Sequence, residues 1–186
     1  MATALLIIDV QNAVLAGDAP AERRREIDRA FDETVERLCL LQQQARAAAA
    51  PVIMVQHNGG IGNRLEKGTS GWEIRQEVAP QPQDIVVEKK SADSFFDTDL
   101  CQVMTEQGIS RLVVGGCMSQ YCVDTTVRRA VSLGYDVLLV ADGHTSSDSR
   151  TLPFTDIVQH HNEILDGFNA GRSMVRVVKA ADVQFG

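Results

Sequence analysis

Ala4-Leu-Leu-Ile-Ile-Asp-Val10 is an apolar run of strand length with no polar alternation, interrupted only by one acid near its end. A strand that shows one face to water alternates apolar and polar residues, so this run reads as a strand covered on both faces, as in a parallel sheet. Comparable runs follow at Val52-Ile-Met-Val55, Ile85-Val-Val87, Arg111-Leu-Val-Val-Gly-Gly116, Asp136-Val-Leu-Leu-Val-Ala141 and Met174-Val-Arg-Val-Val178. Segments of helical period separate them. Ile27, Ala30, Phe31, Thr34, Val35, Leu38 and Leu41 mark one face of a helix from about Ala21 to Ala48, and Pro51 ends that segment. Trp72 to Val78 reads as a short helix. Leu100, Val103 and Met104 mark another, capped by Asp97 or Thr98. Cys122 opens the next, with Val123, Val127, Ala130 and Val131 inward and Gly134 closing it at C′. The last carries Phe154, Ile157, Val158, His161, Ile164, Leu165 and Phe168 on one face. Strand–helix alternation of this kind predicts an α/β fold, a parallel sheet with helices on both faces, built as one domain over residues 1–186.

The bulk properties narrow the function classes. A chain of 186 residues with 44% hydrophobic and 23% charged residues is composed as a globular protein. Its net charge of -7 argues against nucleic acid or an anionic membrane as partner. Arg23, Arg24 and Arg25 form the single basic run, and Glu22 and Glu26 flank it, as on a solvated helix face. The run from Ala4 to Val10 is too short to cross a bilayer and has no secretory pattern before it, so a cytoplasmic location is expected. The four cysteines lack paired spacing and are expected to be reduced thiols, with Cys39 and Cys101 inert.

In an open parallel sheet, ligands bind beyond the carboxyl ends of the strands. Three reactive side chains fall there: Asp9 after the first strand, Lys89 after the third and Cys122 after the fourth. Each also has a plain structural reading, as a capping carboxylate, a surface charge and a small buried hydrophobe. Cys122 stands out because Gly115-Gly116-Cys-Met-Ser-Gln-Tyr-Cys122 feeds a helix start. Free N–H groups and the positive end of the helix dipole are expected there to lower the thiol pKa and to stabilise an oxyanion. In that arrangement Asp9 accepts the thiol proton, and Lys89 holds Asp9 and favours the thiolate.

These residues resemble the isochorismatase-like cysteine hydrolases, among them nicotinamidases, N-carbamoylsarcosine amidase and streptothricin hydrolase. The resemblance rests on Leu6-Ile-Ile-Asp-Val-Gln11, Lys89 with Phe95 and Thr98-Asp-Leu100, Gly116-Cys-Met-Ser-Gln-Tyr-Cys-Val-Asp-Thr-Thr126, Gly134-Tyr-Asp-Val and Ala141-Asp142, in that order. It implies a three-layer α/β/α, Rossmann-like fold with a six-stranded parallel sheet in the order 3-2-1-4-5-6. It also implies an Asp9–Lys89–Cys122 triad, and a cis peptide between Cys117 and Met118 that offers the Met118 N–H, with that of Cys122, as the oxyanion hole. Oligomers are common in the family, so a dimer or tetramer is expected. Nicotinamidases carry an Asp-x-His metal motif after the second strand, where this chain reads Val55-Gln-His-Asn58. No metal and no cofactor is therefore expected, and the segment 56–72 with His160-His-Asn162 resembles a broad, poorly assigned branch.

Gln11 and Asn12 are read as substrate-binding or as satisfying the loop backbone, and Trp72 and Phe95 as pocket walls or core. His161 reads as a packing residue, Asp142 and His144 as crevice rim or structural caps, and His57 is left open. The leading expectation is an amidase that forms an acyl-enzyme on Cys122 with a small molecule. An isochorismatase-type vinyl ether hydrolase, which needs no thiol, and a catalytically silent binding or scaffold protein are the alternatives.

Overall fold

The computed structural model describes residues 2–17 and 19–185. The apolar runs form β1 (Ala2–Ile8), β2 (Val52–His57), β3 (Ile85–Lys89), β4 (Ile109–Cys117), β5 (Asp136–Thr145), β6 (Asn169–Ala170) and β7 (Ser173–Val178). The helical segments are α1 (Ala21–Ala47), α2 (Leu100–Glu106), α3 (Asp124–Ser132) and α4 (Phe154–Leu165). The sheet order is β3-β2-β1-β4-β5-β7-β6. All neighbours are parallel except the two-residue β6, which folds back antiparallel on β7. With β7 as the sixth expected strand, the order 3-2-1-4-5-6 holds and β6 is an added edge ribbon.

The unbroken apolar run of β1 has its predicted cause. Ala4, Leu6 and Ile8 enter one core with Val123, Val127 and Val131, whereas Leu5 and Ile7 enter a second with Ile27, Phe31, Val35 and Leu38 of α1. Helix α4 sends Phe154 into the second core and Leu165 into the first. No helix among the described residues is long and apolar enough to cross a membrane.

Local readings differ in five places, one of them Phe168, which lies in the turn beyond the end of α4 at Leu165. Trp72 to Val78 is not a helix: Ile74 bridges to Gln11, and only Gln76–Val78 makes a 3-10 turn. Asp99, not Asp97 or Thr98, is the N-cap of α2, and Asp97 itself is left-handed with φ 54. Cys122 precedes its helix, lying in a π-helical turn over Ser119–Val123, with α3 beginning at Asp124. Ile164 is 40% exposed and so faces away from the core. Gly134 does follow α3 with φ 94, the left-handed conformation that closes helices.

Candidate active site

The registers bring the reactive side chains together. Ile8 of the central strand pairs with Val55 on one side and Gly116 on the other, and His57 pairs with Lys89. Partners in a parallel register point to the same face, so His57 and Lys89 share the face of Val55 and Val87. Simple alternation would turn Asp9 to the face opposite Ile8. Instead Asp9 is left-handed, with φ 52, a conformation that Asp tolerates better than most residues. The chain turns there, and the carboxylate meets Lys89.

Lys89 Nζ lies 2.7 Å from Asp9 Oδ2, with side-chain exposures of 0% and 1%. The ammonium also donates to the Ser91 carbonyl at 2.8 Å and stands 3.5 Å from His57 Nδ1. The other carboxylate oxygen, Asp9 Oδ1, is buried with no hydrogen-bond partner among the described residues. One carboxylate oxygen of Asp9, one ring nitrogen of His57 and Cys122 Sγ all lie within 4.8 Å of one another. Those three are metal-ligand types, but the Lys89 ammonium already supplies positive charge between Asp9 and His57. A metal cation would be repelled there.

Gly116 makes the approach possible. Its φ is 129, and a Cβ on it would lie 2.0 Å from the Ile8 carbonyl oxygen. The peptide Cys117–Met118 that follows is cis. The Met118 carbonyl then accepts the N–H groups of Tyr121 at 3.0 Å and Val123 at 3.3 Å, which rolls the chain into the turn bearing Cys122. A buried relay backs this turn. Asn162 Nδ2 donates to the Ala141 carbonyl at 2.9 Å, so its Oδ1 accepts from His144 Nε2–H at 2.9 Å. His144 Nδ1 is then left to accept the Ser119 hydroxyl at 2.8 Å. On the other side, Ser94 and Thr126 share a 2.8 Å hydrogen bond that ties the segment after Lys89 to α3.

Burial raises Asp9 above the usual carboxylate range, against the pull of Lys89. Burial first, and the neighbouring Asp9 charge second, push Cys122 up to about 12, with Lys89 opposing. The direction is opposite to the expected depressed thiol pKa: burial and the neighbouring carboxylate hold this thiol above its ordinary value. Burial lowers His57, with Lys89 adding to the effect, and brings His144 down to about 4.

The other candidates sort differently. Gln11 is wholly buried, and its amide is committed to backbone: Nε2 donates to the carbonyls of His57 (3.0 Å) and Trp72 (2.7 Å), and Oε1 accepts the His57 N–H (2.9 Å). No donor remains for a substrate. Asn12 holds the Ser70 carbonyl at 2.8 Å and lines a separate surface cleft with Arg24, Phe31 and Arg75. Phe95 is core, stacked on Tyr135 with centroids 6.1 Å apart. Its neighbour Phe96, which the sequence reading passed over, is 65% exposed and lines a crevice of about 180 Å³ that reaches Lys89, together with Asn58, Ser91 and Asp97. Trp72 keeps a buried indole N–H without a partner among the described residues. Asp142 accepts the Ala180 N–H at 2.8 Å, and His161 donates to the Ile157 carbonyl at 2.7 Å; both bonds are structural.

The sequence signature of the Isochorismatase domain matches residues 3–166. Streptothricin hydrolase of Streptomyces noursei is 37% identical over 150 residues, covering 81% of this chain and 52% of that protein. The chain therefore spans about half the length of that relative. Ureidoacrylate amidohydrolase RutB of Stutzerimonas stutzeri is 27% identical over 169 residues, covering 75% of this chain and 68% of the relative. The crystal structure of an isochorismatase from Pseudomonas putida KT2440 superposes with a TM-score of 0.84 at 29% identity, over 97% of this chain and 89% of that one.

Proposed function

The chain belongs to the isochorismatase family of hydrolases, and from that premise we propose that it cleaves a C–N bond of a small amide, with Cys122 as nucleophile, Asp9 as general base and Lys89 as electrostatic partner. One observation carries the reading: the unpartnered Oδ1 of a buried carboxylate, whose other oxygen is held by Lys89, within a cluster that includes the Cys122 sulfur. A thiol near pKa 12 is not a standing thiolate, so its proton passes to Asp9 as sulfur attacks the carbonyl carbon. The raised carboxylate is a better base for that transfer than an ordinary Asp. Lys89 keeps the charge of the pair balanced as the proton moves.

The tetrahedral oxyanion is met by the N–H groups of Met118 and Cys122. It collapses with cleavage of the C–N bond, and Asp9 returns the proton to the departing nitrogen. Water then attacks the thioester, giving its proton to Asp9, and the carboxylic acid leaves as the thiol is restored. Phe96 and Trp72 wall the substrate, a small molecule; no cofactor takes part, and the protein works as a dimer or tetramer. The relatives named for hydrolysis of streptothricin and of ureidoacrylate support amide chemistry.

A panel of small amides with isochorismate included is the test. Hydrolysis of an amide that Cys122→Ala abolishes supports the reading. Turnover of isochorismate alone, undiminished in Cys122→Ala, would replace it with thiol-free vinyl ether cleavage.

A further inference from the structure

The buried ammonium of Lys89 has three N–H bonds, and three acceptors surround it: Asp9 Oδ2 at 2.7 Å, the Ser91 carbonyl at 2.8 Å and His57 Nδ1 at 3.5 Å. The first two are full hydrogen bonds and the third is at the long limit. We propose that His57 is a positioning residue for Lys89: its Nδ1 lone pair takes the third ammonium N–H and keeps the head group aimed at Asp9, while Nε2 carries the ring proton. The inference rests on the Asp9–Lys89–Cys122 chemistry proposed above.

Two features of the fold make this role specific. His57 and Lys89 are register partners on adjacent strands, so their side chains leave the sheet on the same face. The backbone of His57 is also clamped on both sides, its N–H donating to Gln11 Oε1 and its carbonyl accepting Gln11 Nε2. The imidazole is thus carried on backbone that Gln11 pins at both its N–H and its carbonyl. An ammonium with one N–H unsatisfied in a buried site carries a desolvation cost and gains freedom to swing away from the carboxylate.

Lys89 faces His57 from β3, Asp9 from the end of β1, Cys122 from the turn before α3 and Arg64 from the loop. Protonating His57 would set an imidazolium N–H against the ammonium. Burial first, and Lys89 second, disfavour that charge against the pull of Asp9 and the Ser91 carbonyl, and the balance lies below the ordinary imidazole value.

The test needs no substrate. In nitrogen-15 spectra, His57 is expected as the Nε2–H tautomer titrating below its ordinary value, with the titration moving upward in Lys89→Met. Asn places an oxygen where Nδ1 stood, so His57→Asn should keep the slowly exchanging Lys89 ammonium signal. In His57→Leu that signal should vanish, and alkylation of Cys122 by iodoacetamide at pH 9 should slow about tenfold as the thiol loses its aligned cation, one pKa unit. A Nδ1–H tautomer, or an ammonium signal and alkylation rate in His57→Leu equal to wild type, overturns the inference. Should Lys89→Met not fold, the Asn and Leu variants of His57 decide alone. A protein that hydrolysed no amide but passed these measurements would lose the proposed function and keep this arrangement, and the converse holds equally.

Discussion

Gly116 approaches Ile8 so closely that a single added methyl group would sit 2.0 Å from the Ile8 carbonyl oxygen. That contact joins β4 to β1 where Asp9 and the Cys122 turn begin. Gly116→Ala is therefore expected to cost about 3 kcal/mol or more, from overpacking against backbone and from the left-handed φ together. Urea denaturation measures this. A variant with wild-type stability would mean that the strands can separate there at no cost.

Asp9 and Lys89 should be harmful to change singly and milder to change together. Asp9→Asn leaves a buried ammonium and Lys89→Met a buried carboxylate, each expected to cost about 3–5 kcal/mol. The double variant buries no net charge and should recover a large part of the summed loss in a double-mutant cycle. Strict additivity would show that the pair is not coupled.

The thiol should behave as a proton-bearing group. With Cys122 pushed to about 12, its alkylation by iodoacetamide followed by peptide mapping should be slow at pH 7 and still rising at pH 9. A plateau below pH 8 would mean a standing thiolate. On the acid side, kcat/KM should fall as Asp9 is protonated, at a pH above the usual carboxylate range because burial raises that group.

His144 gives the fold a pH dependence of known sign. Its folded pKa of about 4 lies below the ordinary 6.5, because burial disfavours the cation. Between those values the unfolded chain binds the extra proton. The stabilisation is fully present above pH 6.5 and is lost as pH falls toward 4, about 3 kcal/mol in all. Urea midpoints at pH 7.5 and 4.5 should show a smaller difference in His144→Gln than in wild type. Asp9, raised on folding, tilts the other way, its contribution declining as pH rises through its folded pKa.

Phe95 and Phe96 should separate cleanly. Phe95→Ala empties a core position and is expected to cost about 3–5 kcal/mol. Phe96→Ala removes an exposed crevice wall, so stability should hold while KM rises about tenfold, with kcat little changed. Equal losses of stability would contradict the opposite placements of the two rings.

What was legible in the chain followed from periodicity. The unbroken run before Asp9 and the spacing of Ile27, Phe31, Val35 and Leu38 report burial on two faces and one, and both readings match the cores. The meeting of Asp9, Lys89 and Cys122 was legible through strand ends and family resemblance. What escaped depends on three-dimensional facts without a local signature. Adjacent phenylalanines look alike until the turn after β3 sends one inward. His57 joins the cluster only because β2 and β3 align it with Lys89. The raised pKa of Cys122 has no local signature either, because the depth of burial and the nearness of Asp9 arise only in the folded chain.

Gln11 holds the chain at His57, where the loop 58–71 departs, and at Trp72, where it returns. One side chain thus bolts both roots of a surface excursion to the end of the central strand. Changes at exposed positions of this segment, such as Ile61, are thereby insulated from the aspartate two positions away from the bolt, whereas buried Leu65 stays tied to the core. Anchorage and ornament are divided within one loop: its two roots are fastened to the sheet, and its exposed tip answers to neither.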